Sequence, residues 1–389
     1  MKTNKKMMNA IALAGALGFL ALSATPAEAW ELCAKKDPKS GDFKKGTTQL
    51  HKKCSGRWLR VASAEQLAML DHMEMVDNDG NGVDETIRFT GVNVQVVSGS
   101  GATAGTVNGL GNLLVGYDED NSSGTANKTG THNLVVGPAH SYESYGGFVA
   151  GKENIVRGIY SSVTGGRYNE AIGNYASVTG GWVNVASGVA SWVSGGYNNE
   201  ASEIRSSVSG GVGNLASGMH SSVSGGYNNE ASGTSSSVSG GSDNQTPGEE
   251  SSICGGFRGE ATGYWAAISG GYVNVASGNS SSVSGGIGND ATGDYSSVSG
   301  GTGNEASGDR SSVSGGDRNV AQGGYSSVSG GISNEATGNW AAISGGRSNE
   351  ASGSTSSVSG GIGNGASGSS SSVSGGNSLT CTTYGGVCP

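Results

Sequence analysis

The sequence predicts an all-β chain wound into a parallel β-roll, or solenoid, of fifteen-residue turns, preceded by a short helix. Three observations predict it. A unit reading S-S-V-S-G-G-x-x-N-x-A-S-G-x-x recurs from near Ser161 to Gly376 without insertion or deletion. Its aliphatic residue falls every fifteen positions, from Val163, Val178 and Val193 through Ile253 and Ile268 to Val358 and Val373, fifteen copies in all. Each copy carries a Gly-Gly pair two and three places later, from Gly165-Gly166 to Gly375-Gly376. A fixed period this short means stacked units that each touch only their neighbours.

Fifteen residues hold two short strands and two tight corners. The first strand is Ser161–Thr164. Period-two alternation turns Val163 inward and Ser162 and Thr164 outward. The Gly-Gly corner follows, where a positive φ costs glycine little. The second strand, Asn169–Ile172, turns Asn169 and Ala171 inward, and Gly173 makes the next corner. The inward set per turn is one Val or Ile, one Ala, one Ser or Ala and one Asn, which suits a narrow, flattened roll. A buried amide needs partners. The Asn column (Asn169, Asn184, Asn199, Asn214, Asn229, Asn244, then Asn274 to Asn364) is expected to satisfy corner backbone groups and to stack on itself. Gly259 interrupts that column, Glu203 interrupts the corner glycines, and Thr246-Pro247 disturbs the Ala strand. Gln245–Glu250 is therefore expected to be the one irregular turn.

Such a core is thin. Burying a Val contributes roughly 1.5–3 kcal/mol, and ordering a backbone residue costs about 1–2 kcal/mol. A single roll is not expected to be self-sufficient. The flat serine faces are small enough for chains to pack closely, so a homotrimer is expected.

The chain has 389 residues, 73 of them Gly, with 34% hydrophobic content and a net charge of −9. Without a period this composition would mean disorder. The acidic balance argues against nucleic acid as a partner. Residues 1–29 read as a signal peptide: Lys2, Lys5 and Lys6, then the apolar run Ile11–Leu22, then Ala27-Glu28-Ala29 as the cleavage site. The mature chain then begins at Trp30 and is exported, to the periplasm, the cell surface or beyond. The apolar run is too short to span a membrane comfortably, and no later integral membrane segment is read.

Residues 30–61 form a basic, irregular segment in which Cys33 and Cys54 are either a disulfide or two free thiols. Residues 62–90 are read as the helix Ala62–Val76 and an acidic turn. Ser63 suits an N-cap with Gln66 three residues on, and Leu67, Leu70, Met73 and Val76 recur at i+3 spacing. That helix is either a packing element or a trimer-nucleating neck. In Asp77–Glu85 the alternating donors Asp77, Asp79, Asn81 and Asp84 match the front half of a calcium loop. The twelfth position is Arg88, where such a loop needs a bidentate Glu, so calcium and a plain acidic turn both stand. Calcium is the one cofactor considered. Residues 91–158 carry larger apolar runs at uneven spacing and read as a capping start of the roll, with Asp118–Thr131 as a surface loop. Residues 159–376 are the regular repeat. Residues 377–389 form a C-terminal cap in which Cys381 and Cys388 close a small loop. Cys254, at a serine position, points outward.

The outer positions vary. Trp265, Tyr295, Tyr325 and Trp340 stand three places before the aliphatic residue, and Trp182, Tyr197, Tyr227, Phe257 and Tyr272 stand four places after it. These aromatics either shield corner backbone or form a binding surface, since Tyr and Trp dominate interfaces. Acids, among them Glu170, Glu200, Asp290 and Glu350, stand seven places after it. No enzyme is read. The five histidines are scattered, with no zinc spacing. Each serine has many equivalents, whereas a nucleophile needs a unique setting. The Gly-Gly pairs lack the surroundings of a phosphate loop.

The repeat, together with Asn108–Tyr117, Thr131–Gly137 and Ser144–Gly151, resembles the head domains of YadA-like trimeric autotransporter adhesins over roughly Gly91 to Gly376. The resemblance implies a left-handed roll, assembled as a trimer and displayed outside the cell. The adhesin heads carry a run like S-V-A-I-G where this chain has Ser-Val-Ser-Gly-Gly, so no ligand-binding residue is carried over. The adhesins' stalk and membrane barrel are not seen here, so retention at a surface is expected to be non-covalent or through a partner. The expected function is an exported adhesin-like or surface-structural protein that holds a host or matrix protein or a glycan. The alternative is a solenoid that binds ice or another ordered surface.

Overall fold

The computed structural model describes residues 31–35, 49–51, 58–62, 72–76, 86–121 and 123–389. The chain divides into two compact units, residues 1–95 and 96–389.

In the first unit, β1 (Glu31–Lys35), β2 (Gln49–His51) and β3 (Trp58–Ala62) form an antiparallel sheet in the order β2-β1-β3. The stretch expected to be irregular thus has strands in it. A second antiparallel pair joins β4 (Met73–Val76) to β5 (Thr86–Phe89), with Val76 opposite Thr86 and Glu74 opposite Arg88. The Glu74–Arg88 ion pair closes at 3.1 Å. Of the expected helix Ala62–Val76 only the ends are described, and neither is helical: Ala62 ends β3, Met73–Val76 is a strand, and the described residues contain no helix. Met73-Glu74-Met75 also alternates apolar and polar residues. A paired strand outcompetes a short helix whose nucleation is costly. Residues 63–71, the signal segment 1–29, Cys54 and the proposed calcium ligands Asp77, Asp79, Asn81 and Asp84 lie outside the described residues. Arg88, at the twelfth position of that acidic segment, is committed to β5.

The second unit is a parallel β-solenoid. Its first strands are β6 (Leu113–Val115), β7 (Leu134–Val136), β8 (Ser141–Tyr142), β9 (Phe148–Ala150), β10 (Ile155–Val156), β11 (Ser162–Val163) and β12 (Glu170–Ala171). Two-residue strands then alternate, two per turn, to β40 (Thr380–Cys381) and β41 (Val387–Cys388). The Ser-Val strands stack in register behind β6, β7 and β9, and the Glu-Ala type strands stack behind β8 and β10. Spacing at the head is 21 and then 14 residues before settling to fifteen. The larger head residues and their uneven spacing therefore build the first rungs of the same roll. The end of the expected surface loop joins them too, since Tyr142 N donates to Asn127 O at 2.8 Å and Gly130 N to Tyr142 O at 2.8 Å.

Alternation places the side chains as the sequence requires. Val163, Ala171, Ser161 and Asn169 are wholly buried, and so are their equivalents along the roll. The inward serine is the least demanding of the four. In Ser161 its Oγ donates to the corner carbonyl of Gly158 at 2.8 Å, while Ala176, Ala266 and Ala341 fill the same place without a hydroxyl.

The Asn column supplies the inner stitching. The Oδ1 of Asn169 accepts the backbone N–H of Asn184 at 2.9 Å. Its Nδ2 donates to the Gly165 carbonyl of its own turn at 3.2 Å and to the Gly181 carbonyl of the next at 2.9 Å. One amide thus serves three backbone groups at the corner: the Asn184 N–H and the Gly165 carbonyl, and the Gly181 carbonyl, which also accepts the Arg167 N–H at 3.0 Å. At the Gly259 gap, Ile253 stands in place of Val. Its Cδ1 lies 3.5 Å from where a Cβ on Gly259 would sit, so the longer side chain fills part of the space left by the missing amide.

The expected irregular turn keeps its rung. β22 (Gln245–Thr246) pairs with Glu230–Ala231 before it, and Gln245 with Glu260 after it. Thr246 is buried in the Ala column, and Pro247 has no N–H for the ladder. The apolar core divides there into two blocks, Val135–Val238 and Ile253–Cys381.

The two ends are closed differently. Cys381 takes the next place in the Ala column after Ala366, and Cys388 takes the next in the Val column after Val373. Their disulfide, with Cα atoms 5.9 Å apart, therefore links the two sheets across the last rung, as expected for a seal. At the head, Tyr142 and Val156 fill the Ala column, while Leu114, ahead of Val135 in the Val column, is left 42% exposed.

The glycine pair is two different residues. In each turn the second glycine has positive φ, +91° at Gly286, and a Cβ there would fall on the Gly301 carbonyl oxygen and the Asn289 amide. The first is extended and faces open space, with nothing within 4 Å of a Cβ at Gly285. Gly285→Ala should therefore leave the melting temperature unchanged or raise stability by up to about 1 kcal/mol through the unfolded chain. Gly286→Ala should cost more than about 1 kcal/mol. Thermal or urea melts of the two variants check this, and equal effects would show that the corner is misassigned.

Candidate binding surfaces

Four outward surfaces follow from the two ladders and two corners of each turn. The first is the face of the Ser-Val strands, with Ser162, Ser177, Ser207, Ser222 and their equivalents in one column and Thr164, Thr179 and then mostly Ser in the next. Trp192 is the one large residue among the strand serines. At the start of the first column two hydroxyls meet, with Ser162 Oγ 3.2 Å from Ser177 Oγ. Cys254 stands exposed in the second column, as alternation requires.

The second face carries the acids. Glu170, Val185, Glu200, Leu215, Glu230, Gln245, Glu260 and Val275 follow one another in register. Carboxylates thus alternate with neutral residues, which keeps like charges off adjacent rungs, where they would destabilise the sheet. The rule lapses twice, at Asp290–Glu305 and at Glu335–Glu350. At the head, Arg157 reaches Glu143 at 2.9 Å and Glu170 at 3.2 Å, joining three rungs.

The aromatics named from the sequence occupy the two corners, not one strip. Trp182, Tyr197, Tyr227, Phe257 and Tyr272 belong to the ladder of single bridges that runs from Lys152 to Asn377. Trp265, Tyr295, Tyr325 and Trp340 stand at the other corner, just before each inward serine or alanine. Along the bridge corner, Trp182 meets Tyr197 with centroids at 5.4 Å, and Phe257 stacks on Tyr272 at 5.2 Å. Tyr227 sits between Val212 and Ser242 and has no ring beside it in the column. At the second corner, Tyr325 and Trp340 stack at 4.1 Å and 4°. The Arg310 guanidinium lies 5.4 Å from the Tyr295 ring and 5.1 Å from that of Tyr325. Tyr295, Arg310, Tyr325 and Trp340 thus form one continuous stack over four rungs. Sequence reasoning missed Arg310, although a cation at the aromatic position of an in-register column was a usable signal.

Sequence reasoning also missed the backbone at both corners. Besides the second glycine, each turn holds two further positions left-handed, most of them not glycine, such as Tyr168 at φ +57° and Tyr175 at +60°. The first of these columns does announce itself, since Asn198, Gly213, Asn228, Asp243, Gly288 and Gly303 belong to it and Asn, Asp and Gly tolerate that region best. The second column, rich in Tyr and Trp, carries no such signal.

Two open grooves lie on the surface of the roll. One of 270 Å³ is lined by Asn228, Asp243, Gln245, Arg258, Gly259 and Glu260, and another of 310 Å³ lies beside Glu350 and Asn364. In the first, hydrogen bonds from Asn228 and Ser242 hold the Asp243 carboxyl below its usual range. Among the described residues no group of three or more His, Cys, Asp or Glu could hold a metal ion, and no helix is long and apolar enough to cross a membrane. No protein-family model matches this chain, and no curated protein matches it in sequence. The fold defines its class, a parallel β-solenoid of fifteen-residue turns.

Burial, and then the charge of Glu305, push the Asp290 carboxyl up. A raised folded value means that ionised Asp290 costs stability. The cost is absent well below the ordinary Asp value of about 3.9 and grows as pH rises through it. Asp290→Asn should therefore stabilise the fold at pH 7, by about 0.2–1 kcal/mol, and give no gain near pH 3. Denaturant melts at the two pH values check this.

Proposed function

We propose that this is an exported adhesin-like or surface-structural protein that works by presenting a long repetitive face. The observation that carries the reading is the register itself. Fifteen equivalent rungs repeat the same outward columns, and the hollows are shallow and open, so recognition is spread along the roll. Trp30 begins the mature chain after the signal segment, and the exported protein stands at a cell surface or beyond it. The adhesin resemblance supports a left-handed winding and a homotrimer. The small, flat serine face gives neighbouring chains a surface for close packing, and the uncovered apolar residues Leu113, Leu114 and Val115 at the head favour association. A partner protein or glycan would be held by the corner aromatics, whose exposed rings offer large contact area at small entropic cost. The protein is read as a binder and not as an enzyme, because each serine of the repeat has many equivalents along the roll, whereas a nucleophile needs a unique setting.

A second reading has one observation in its favour. The columns of Ser162 and Thr164 and their equivalents repeat at a fixed interval on a flat face, which could match an ordered surface such as ice.

Each turn advances the roll by about 4.8 Å, so fifteen turns span roughly 70 Å. Deletion of whole fifteen-residue units, for example 281–295, should reduce surface binding gradually and lower stability in small steps. Binding assays and melts on the deletion series measure this. One unit whose loss alone abolishes binding would replace the distributed face by a local site. Inhibition of ice recrystallisation by the full-length protein would select the second reading.

A further inference from the structure

The asparagine column begins with a histidine. His140 is wholly buried and stands four residues after Val136, as Asn154 stands four after Ala150 and Asn169 four after Gly165. Its ring does what an asparagine amide does in the later turns that carry one. Nε2 lies 3.1 Å from the Val136 carbonyl, in the place of the Asn154 Nδ2 bond to Ala150 O at 2.7 Å. Nδ1 lies 3.1 Å from the Asn154 backbone nitrogen, in the place of the Asn154 Oδ1 bond to Asn169 N at 2.8 Å. The Asn154 N–H can only donate and the Val136 carbonyl can only accept. The tautomer is thereby settled: Nδ1 is the bare acceptor and Nε2 carries the hydrogen.

Asparagine cannot change this pattern with pH, and histidine can. A proton added to Nδ1 would face the Asn154 N–H, so the bond is lost and a charge is left in the core. The charged group that acts on the ring is the Asp118 carboxylate, which favours the protonated form, but burial outweighs it and holds the histidine below its ordinary value. Asp118 is itself engaged by Lys128 at 3.4 Å and by the Tyr142 hydroxyl at 3.1 Å. The local architecture gives little redundancy. Among the described residues β8, which follows His140 directly, has β10 as its only strand partner, and the short stretch Asn127–Gly130 lies on its other side.

We propose that His140 is an acid-sensitive latch at the head of the solenoid: on taking a proton from solvent at Nδ1 it releases the Asn154 amide and loosens the rungs of β7, β8 and β9, while the regular repeat stays closed. The sign follows from linkage. A histidine held neutral in the fold binds protons more readily once the rung opens, so closure is fully stable above the ordinary value of about 6.5 and weakens as pH falls below it.

Hydrogen exchange on the full-length protein tests this, with rates corrected for the intrinsic pH dependence. Between pH 7.5 and 5.5, residues 134–154 should lose protection severalfold, up to about the tenfold that one histidine can supply, while 281–298 should not change. His140→Asn, which installs the residue used by the other turns, should hold protection of 134–154 constant across that range. His132→Asn removes the neighbouring histidine, whose Nε2 accepts from Ser98 N at 3.2 Å, and should leave the loss intact. Constant protection in the wild-type chain overturns the proposal. So does an undiminished loss in His140→Asn, or a loss that disappears in His132→Asn.

Discussion

The solenoid depends on one repeated interaction, the buried asparagine amide that joins consecutive turns. A fifteen-residue turn has two strands of two residues each, so strand pairing reaches only part of its backbone. The first-glycine carbonyl and one inner N–H would otherwise be buried without partners, at a cost of the order of 1–3 kcal/mol each. Each asparagine satisfies both, adds a second donor to the next turn's corner carbonyl, which already accepts a bridge N–H, and so ties its own turn to the next. The apolar core alone, one Val and one Ala per rung, is too thin to set the register. The amide column sets it, because its acceptor and donors must meet the same groups one turn on.

Two glycine positions follow from that stitching. The second glycine of each pair must be left-handed and bare, because the carbonyl that the asparagine reaches lies where a Cβ would stand. The corner glycine, such as Gly173, is bare because the corner above it stacks directly on its backbone. The first glycine of the pair meets neither condition, and the structure holds no steric reason for it. Where the column is broken, at Gly259, the core answers with the longer Ile253. Where the Ala strand turns polar, at Thr246, the register holds because the flanking rungs still pair.

The ends and the outside obey looser rules. A stack needs its first and last rungs closed, and the chain uses different chemistry at each: a disulfide across the final rung, and Tyr142, Val156 and His140 in the columns of the first. Outward residues are limited mainly by the neighbour one rung away. Hence the acids alternate with neutral residues on one face, and rings and a guanidinium stack at the corners. A change at one outer position is felt by two neighbours and hardly beyond.

Much of this was legible in the sequence because a parallel, in-register stack turns one period into every contact. The fifteen-residue interval, the inward Val163, Ala171 and Asn169, the outward Cys254 and the sealing pair Cys381 and Cys388 all follow from alternation and repetition alone. The strand at Met73–Val76, the end of the expected helix Ala62–Val76, did not, because i+3 spacing over so short a run does not separate helix from strand, and that stretch was decided by a partner strand at Thr86–Phe89. Nor did the separation of the aromatics onto two corners, the Arg310 stack or the left-handed Tyr175 column, since each depends on how the corners fold. His140 shows the limit best. Its spacing from Asn154 is fourteen, not fifteen, so periodicity hid it, and only the three-dimensional path of the head turns brought an imidazole into the asparagine's place. Sequence determines what repeats; the tertiary structure decided what the exceptions do, because an exception is placed by its neighbours in space and not by the period.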